Sequence, residues 1–195
     1  MTEEQFRGLI EKARELLAQT KDPVHDEQHA NRVWGNIRKI VEKLSEERKK
    51  DLDMMILKLA AMWHDIAFVY FNHDLVNYFL EGRRGARIAK AYFNKVGIDK
   101  DETDLVCDII FHHQHSSLFL LNRKYSIYHQ ILQDADTMDV YNNPLRIKLA
   151  EVAAQGSSMW YKFMMRILKP LFFNKMRKSK LIYNLPESIQ IVRGN

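Results

Sequence analysis

Apolar residues recur at intervals of three and four along most of the chain, which is the spacing of helices that bury one face. The first such stripe consists of Phe6, Ile10, Ala13 and Leu17. The Asp22-Pro23 pair ends this pattern, because proline interrupts a helix. Asp26 is a candidate N-cap for a second helix, whose buried stripe comprises His29, Val33, Ile37, Ile40 and Leu44. A histidine is therefore expected on an apolar helix face.

The same criteria predict six further helices. We expect a third helix from about Leu52 to Phe71, and a fourth from Asp74 or Leu75 to Gly97, a residue type common just past a helix end. The remaining predicted helices run from Thr103 to Gln114, from Ser126 through Asp139, from Asn143-Pro144 onward, and from Ser157 or Ser158 to a stop or kink at Pro170. No alternating strand pattern or hairpin signal is present. The predicted fold is therefore an all-α, compact bundle of about seven to nine helices.

Composition is that of a soluble globular protein, with 46% hydrophobic and 28% charged residues in a chain of 195. The single cysteine, Cys107, excludes an intrachain disulfide and favours a reducing compartment. The acidic opening of the chain is unlike a signal peptide, and no apolar run approaches the ~18 residues of a membrane span. We therefore expect a cytoplasmic protein.

Positive charge is concentrated at the C-terminal end. Residues 157–195 contain eight Lys or Arg and one acidic residue, whereas the whole chain carries a formal charge of +5. We therefore divide the chain into a domain at 1–156 and a basic, aromatic helical extension at 157–195. A broad apolar band in this extension is interleaved with Lys162, Arg166 and Lys169. Such a band usually packs on the domain or forms a homodimer interface; nucleic-acid or membrane-surface contact is the less common meaning.

The His64-Asp65 pair lies in the otherwise apolar segment 61–66. Burying an imidazole beside a carboxylate is costly unless a partner such as a divalent cation compensates for lost solvation. Together with His29 and Asp136, the pair offers two imidazoles and two carboxylates from three predicted helices. This set suits Mn, Fe, Zn, Ni, Co or, less well, Mg. Taken singly, His29 could be a hydrogen-bonded core residue, and Asp65 could pair with Arg32 or Lys58.

Five segments, in order, resemble the HD superfamily of metal-dependent phosphohydrolases. They are Val24–Val33, similar to HDxxHxxRV; Ala61–Ile66, similar to A-x-x-HDI; Glu81–Ala86, similar to (H/E)xxxGA; Ile110–His113, similar to I-x-HH; and Asp134–Asp139, similar to DADxxD. The resemblance spans roughly residues 20–142. It implies an HD-domain bundle whose metal ligands are His29, His64, Asp65 and Asp136.

The resemblance further implies a hydrolase that cleaves a phosphomonoester or phosphodiester, with nucleotides among the candidates, by attack of a metal-bound water. We assign catalytic roles to Asp65, Glu81, His112 and His113, and substrate-binding roles to Arg32, Arg83, Arg87 and Asp139. The general base is the metal hydroxide, Glu81 or Asp139. Asp139 is also a candidate for orienting a ligand. Some of the arginines on the fourth helix are expected to belong to its solvated face.

A second metal is an open alternative at Glu81, His112 and His113. Family members with two metals, such as HD-GYP phosphodiesterases, have His at the position of Glu81, and their GYP motif is absent here. Without that metal, the two histidines would contact phosphate or protonate the leaving group. The other function considered is a non-catalytic HD-fold protein that senses a ligand, or binds a partner or an anionic surface through its basic tail. The sequence gives no substrate signature.

Overall fold

The computed structural model describes residues 1–71, 75–113, 125–143, 148 and 182–194. Within these residues the chain forms helices and no β-strand, which confirms the predicted all-α fold. The α-helices are α1 (Glu3–Leu17), α2 (Glu27–Lys43), α3 (Glu46–Lys49), α4 (Met54–Trp63), α5 (Leu75–Val96), α6 (Lys100–Phe111), α7 (Ile127–Asn142) and α8 (Pro186–Gly194), with a 3-10 turn at Ile66–Val69.

Local capping accounts for the helix ends that were predicted well. The Asp26 side chain accepts the His29 backbone N–H and begins α2 as expected. Gly97 has φ 76°, which an L side chain rarely adopts, and it follows the last residue of α5. The Ile98 N–H reaches the Phe93 carbonyl and the Gly97 N–H reaches the Asn94 carbonyl, the Schellman arrangement. These two boundaries are therefore set by residues close in sequence.

The α4 helix occupies the middle of the bundle. It packs against α1, α2, α5, α6 and α7. Seven of its ten residues are buried, which explains why every residue of this helix except Lys58 is apolar. The elements that follow α4 are consequently delivered to the centre of the protein.

The prediction of one helix from Leu52 to Phe71 is wrong. The α4 helix ends at Trp63, and Asp65 has φ −99° and ψ 11°, outside the helical region. A tight 3-10 turn then takes the chain onward. Because the helix stops here, His64 and Asp65 are not held at the ~100° separation of successive helical residues.

Other boundaries differ from the prediction by a few residues. The α6 helix begins at Lys100, not Thr103, because the Asp99 side chain caps it, and it ends at Phe111. The α7 helix begins after Ser126 as predicted but continues past Asp139 to Asn142. The short helices α3 and α8 were not predicted. The predicted helices from Asn143-Pro144 and from Ser157, the 156/157 boundary and the apolar band of the tail lie outside the described residues.

The α8 helix packs on α2 and α7, which brings the last described segment onto the domain. The buried Asp134 carboxylate accepts the backbone N–H groups of Asn184 and Leu185 at 2.8 and 2.9 Å. Arg48 and Glu187 form an ion pair of 2.8 Å beside this contact. Among the described helices, none is long and apolar enough to cross a membrane.

Candidate metal centre

His29 is held in the centre of the bundle by a residue from another helix. It is fully buried on α2, and its Nδ1–H donates to Asp139 Oδ2 on α7 at 2.7 Å. Asp139 also accepts Arg32 Nε at 2.8 Å and Arg32 Nη2 at 3.2 Å. A carboxylate only accepts hydrogen bonds when ionised, so Nδ1 carries the proton. The lone pair of neutral His29 is therefore on Nε2.

His64 is oriented in the same way at the end of α4. Its Nδ1–H donates to the Ala61 carbonyl at 2.8 Å, so the neutral ring also has its lone pair on Nε2. The two Nε2 atoms of His29 and His64 are 3.1 Å apart. Two lone pairs at this distance repel each other unless a proton or a cation lies between them.

Two carboxylates lie close to the Nε2 atoms of these rings. Asp65 Oδ2 lies 3.1 Å from His29 Nε2 and 3.2 Å from His64 Nε2, and Asp136 Oδ1 lies 3.3 Å from His29 Nε2. Asp65 Oδ2 is buried and makes no hydrogen bond within the described part of the chain. Burial would raise the pKa of Asp65, but electrostatic attraction to the facing His64 and His25 rings outweighs it and holds that pKa well below its usual range. Asp65 is thus an ionised carboxylate that faces both imidazole rings.

A second group of potential ligands adjoins the first and shares Asp65. His113, after α6, donates Nδ1–H to the Ile110 carbonyl, and its Nε2 lies 3.7 Å from both Asp65 Oδ1 and Glu81 Oε1. All three side chains of this group are buried. Burial would lower the pKa of His113, but Glu81, with Asp65 and Asp136, raises it to about 9. The two oxygens of Asp65 therefore face different groups.

Glycines allow α5 to bring Glu81 into this position. A Cβ at Gly82 would lie 2.5 Å from the Phe111 carbonyl oxygen, and one at Gly85 would lie 3.0 Å from the His64 carbonyl oxygen. Real Cβ atoms essentially never approach as closely as the first distance, and the second is tighter than nine in ten real Cβ contacts. The two glycines therefore let α5 lie directly against the ends of α6 and α4, where the ligands are.

His25 is closer to this cluster than its position in the sequence suggested. Its position at the start of α2 predicts a structural residue whose ring bonds exposed backbone groups. Its ring is buried, stacks on Phe68 at 3.8 Å and meets His29 edge-on at 6.1 Å. Its Nδ1 lies 2.9 Å from Asp22 Oδ2. The four-residue spacing to His29 is the sequence signal for this position. It does not distinguish a paired metal ligand from a structural residue.

The predicted site residues fall into three sets. His29, His64, Asp65, Asp136, Glu81 and His113 converge, while Arg32 and Asp139 adjoin them through the bond to His29. His112 belongs to a different cluster, with Asp108 and His129. Arg83 and Arg87 are exposed, and at ~100° per residue they lie about 200° and 240° around α5 from Glu81. Their assignment to substrate binding stays a prediction.

The donor set fits a divalent cation. His29, His64 and Asp136 present ligand atoms within 4.8 Å of one another, and so do Asp65, Glu81 and His113. Imidazole nitrogen with carboxylate oxygen suits first-row transition ions such as Mn, Fe, Co, Ni and Zn. A cation among them would also relieve the repulsion between the two Nε2 lone pairs. The part of the chain that the structure describes is thus all-α, with a buried His/Asp cluster whose ligand types suit a divalent cation.

Comparison with known proteins gives the family. The HD domain family model matches residues 27–141, more than half of the chain. The chain therefore belongs to the HD domain family, a group made up in general of metal-dependent hydrolases. No curated protein matches the sequence.

Two solved structures have similar folds. One is a structural-genomics protein from Lactobacillus plantarum, with 21% identity and a TM-score of 0.60, covering 80% of this chain and 65% of its own. The other is a predicted HD superfamily hydrolase from an uncultured Thermotogales bacterium, with 23% identity and a TM-score of 0.54, covering 85% of this chain and 92% of its own. The chain thus spans about two thirds of the first protein and most of the second.

Proposed function

We propose that the protein is a metal-dependent phosphohydrolase that cleaves a phosphomonoester or phosphodiester, with nucleotides among the candidate substrates. The observation that supports this most is the convergence of His29, His64, Asp65 and Asp136 on one point. These residues come from α2, from the turn after α4 and from α7. Without a ligand to bind, such a buried set of mutually repelling donors would be costly to the fold.

The chain's own residues hold a cation and present it to substrate. His29, His64, Asp65 and Asp136 are the proposed ligands, and Asp139 fixes the direction of His29 Nε2. When bound, a divalent cation acidifies a water and polarises a phosphoryl oxygen, which is the chemistry that phosphate ester hydrolysis requires. Asp136 is the partly exposed member, with 21% of its side chain accessible, so the cluster faces outward at that residue.

Glu81 and His113 have alternative roles that depend on the number of cations. With one cation, His113 holds a proton at Nε2 next to Glu81 and donates it to the leaving-group oxygen, while Glu81 serves as general base. With two cations, Asp65, Glu81 and His113 are ligands of the second. Asp65 would then contribute one oxygen to each group. Metal analysis of the purified protein distinguishes these alternatives.

The test is hydrolysis of an aryl phosphate, an aryl phosphodiester and a panel of nucleotides with Mn²⁺, Co²⁺, Ni²⁺, Mg²⁺ or Zn²⁺. We expect turnover that a chelator abolishes and one of these ions restores. Asp136→Asn should reduce turnover by more than the roughly 10–100-fold that loss of a ligand-orienting residue usually costs, because a direct ligand is lost. Asp104→Asn, at a half-exposed carboxylate of α6 that pairs with Lys90, is the matched control and should retain wild-type activity. A purified protein without bound metal and without turnover would favour the non-catalytic alternative.

A further inference from the structure

Three potential metal ligands meet at the junction of α6 and α7, apart from the buried centre. Asp108 and His112 are one helical turn apart at the C-terminal end of α6, and His129 lies in the first turn of α7. His129 Nε2 is 3.0 Å from Asp108 Oδ2. His112 Nδ1 is 3.1 Å from Asp108 Oδ1 and also 3.1 Å from the Asp108 backbone carbonyl oxygen, which accepts its hydrogen bond. One ligand atom from each residue lies within 4.8 Å of the other two.

The surrounding contacts hold these side chains in place. Ser126 Oγ lies 2.7 Å from His129 Nδ1, so the other ring nitrogen faces Asp108. Gln133 Nε2 donates to the His112 carbonyl at 2.6 Å, which fixes the backbone of His112 against α7. Hydrogen bonding at the far nitrogen of a histidine is a common feature of metal ligands, because it sets the direction of the ring.

The cluster is graded from buried to exposed. The side chain of His129 is 7% exposed, that of His112 18% and that of Asp108 55%. A cation could therefore enter from solvent and keep water as a further ligand. Two imidazoles and one carboxylate favour Zn²⁺, Ni²⁺, Cu²⁺ or Co²⁺ over Mg²⁺ and Ca²⁺, which prefer oxygen ligands.

We propose that Asp108, His112 and His129 form a second, solvent-facing site for a transition-metal ion, which ties the end of α6 to the start of α7. The site is separate from the buried centre, since none of its residues belongs to either buried ligand group. A cation bound here would join two successive described helices of the chain, α6 and α7. It would stabilise the native state, because the unfolded chain does not bring the three ligands together.

The experiment counts metal ions in the full chain. Protein stripped by a chelator is dialysed against Zn²⁺ or Ni²⁺, and the metal per chain is measured. We expect Asp108→Ala and His129→Gln each to bind about one equivalent fewer than wild type. Asp104→Ala, which removes a half-exposed, Lys90-paired carboxylate of α6 one turn earlier, should bind the wild-type number. Circular dichroism confirms that each variant is folded, and the exposure of Asp108 makes its replacement the safer of the two.

The variant His64→Ala distinguishes metal bound at the buried centre from metal bound at the solvent-facing site. That variant should lose metal from the centre and retain the equivalent that Asp108→Ala removes. Failure of the proposed hydrolase activity would leave this outcome unchanged. The proposal is overturned if Asp108→Ala and His129→Gln bind as many Zn²⁺ and Ni²⁺ ions as wild type does.

Discussion

At the scale of single residues, Asp139 determines what His29 can do. By accepting from His29 Nδ1 and from Arg32, it keeps the lone pair of the imidazole on Nε2, the atom nearest His64 and Asp65. An amide at this position cannot offer the same two acceptor oxygens. Residue 139 was predicted to bind substrate, to act as base or to orient a ligand, and these contacts support the third role.

Asp139→Asn should therefore weaken binding of the activating metal by about 10–100-fold, the usual effect of removing such a partner. Metal titration measures this loss, and nitrogen NMR of the His29 ring reports whether the proton leaves Nδ1. Asp104→Asn removes a carboxylate that does not touch the cluster and should leave both readouts at wild-type values. Unchanged metal affinity in Asp139→Asn, with the ring proton still on Nδ1, would contradict the orienting role.

Close packing against the Phe111 backbone requires glycine at position 82, whereas the backbone angles of Gly82 do not. Gly82→Ala would place Cβ 2.5 Å from the Phe111 carbonyl oxygen, which is backbone and cannot move aside cheaply. We expect a loss of about 1–3 kcal/mol in the free energy of unfolding, as for overpacked sites. Urea unfolding measures it.

Gly8→Ala is the matched control for this prediction. Gly8 also lies inside a helix, but nothing is within 4 Å of its added Cβ. Alanine there should stabilise the protein by about 0.5–1 kcal/mol through helix propensity. The explanation fails if alanine raises stability at both glycines.

At the scale of secondary-structure elements, the sequence predicts the helix ends that are set by hydrogen bonds between neighbouring residues. It misses the helix end that is set by packing against another helix. Asp26 and Gly97 mark helix ends by local hydrogen bonds and were placed correctly. The end of α4 was missed, because the apolar run continues through Ile66–Val69 while Gly85 packs against the His64 carbonyl. That contact exists only after α5 docks. No pattern within residues 52–71 encodes it.

The same distinction applies to the candidate site. Motifs in the sequence identified the residues of the buried cluster. They did not show that His112 and His113 face different clusters. These neighbours have the same side chain, but one faces Asp65 and Glu81 and the other faces Asp108 and His129. The direction of each ring depends on where α6 ends. That end is fixed by contacts with α5 and α7, and not by the two residues themselves.

Attachment of α8 gives a prediction at the scale of elements. Asp134 accepts the N–H groups that lead into this helix, so Asp134→Asn would place an amide donor against one of them. We expect a loss of about 2–3 kcal/mol in unfolding free energy, since these are bonds to a buried charge. Limited proteolysis should cut more readily within 182–194. Glu187→Gln, which breaks only a partly exposed ion pair on α8, should cost less than about 1 kcal/mol. Equal effects of the two variants would mean that Asp134 does not hold the helix.

At the scale of the whole molecule, a cation bound at the proposed buried centre would couple metal binding to folding. Its ligands come from α2, the turn after α4 and α7, so only the native state assembles them. A cation at 100 times its dissociation constant would add about 2.7 kcal/mol to the unfolding free energy. For a chain of this length that corresponds to roughly 5–10 °C in the melting temperature. Thermal unfolding of stripped protein with and without Mn²⁺ measures the shift.

Asp136→Asn should reduce this shift in melting temperature to less than half, because one ligand is gone, whereas Asp104→Asn should retain it. A shift of the same size in Asp136→Asn would place the stabilising cation outside the buried centre.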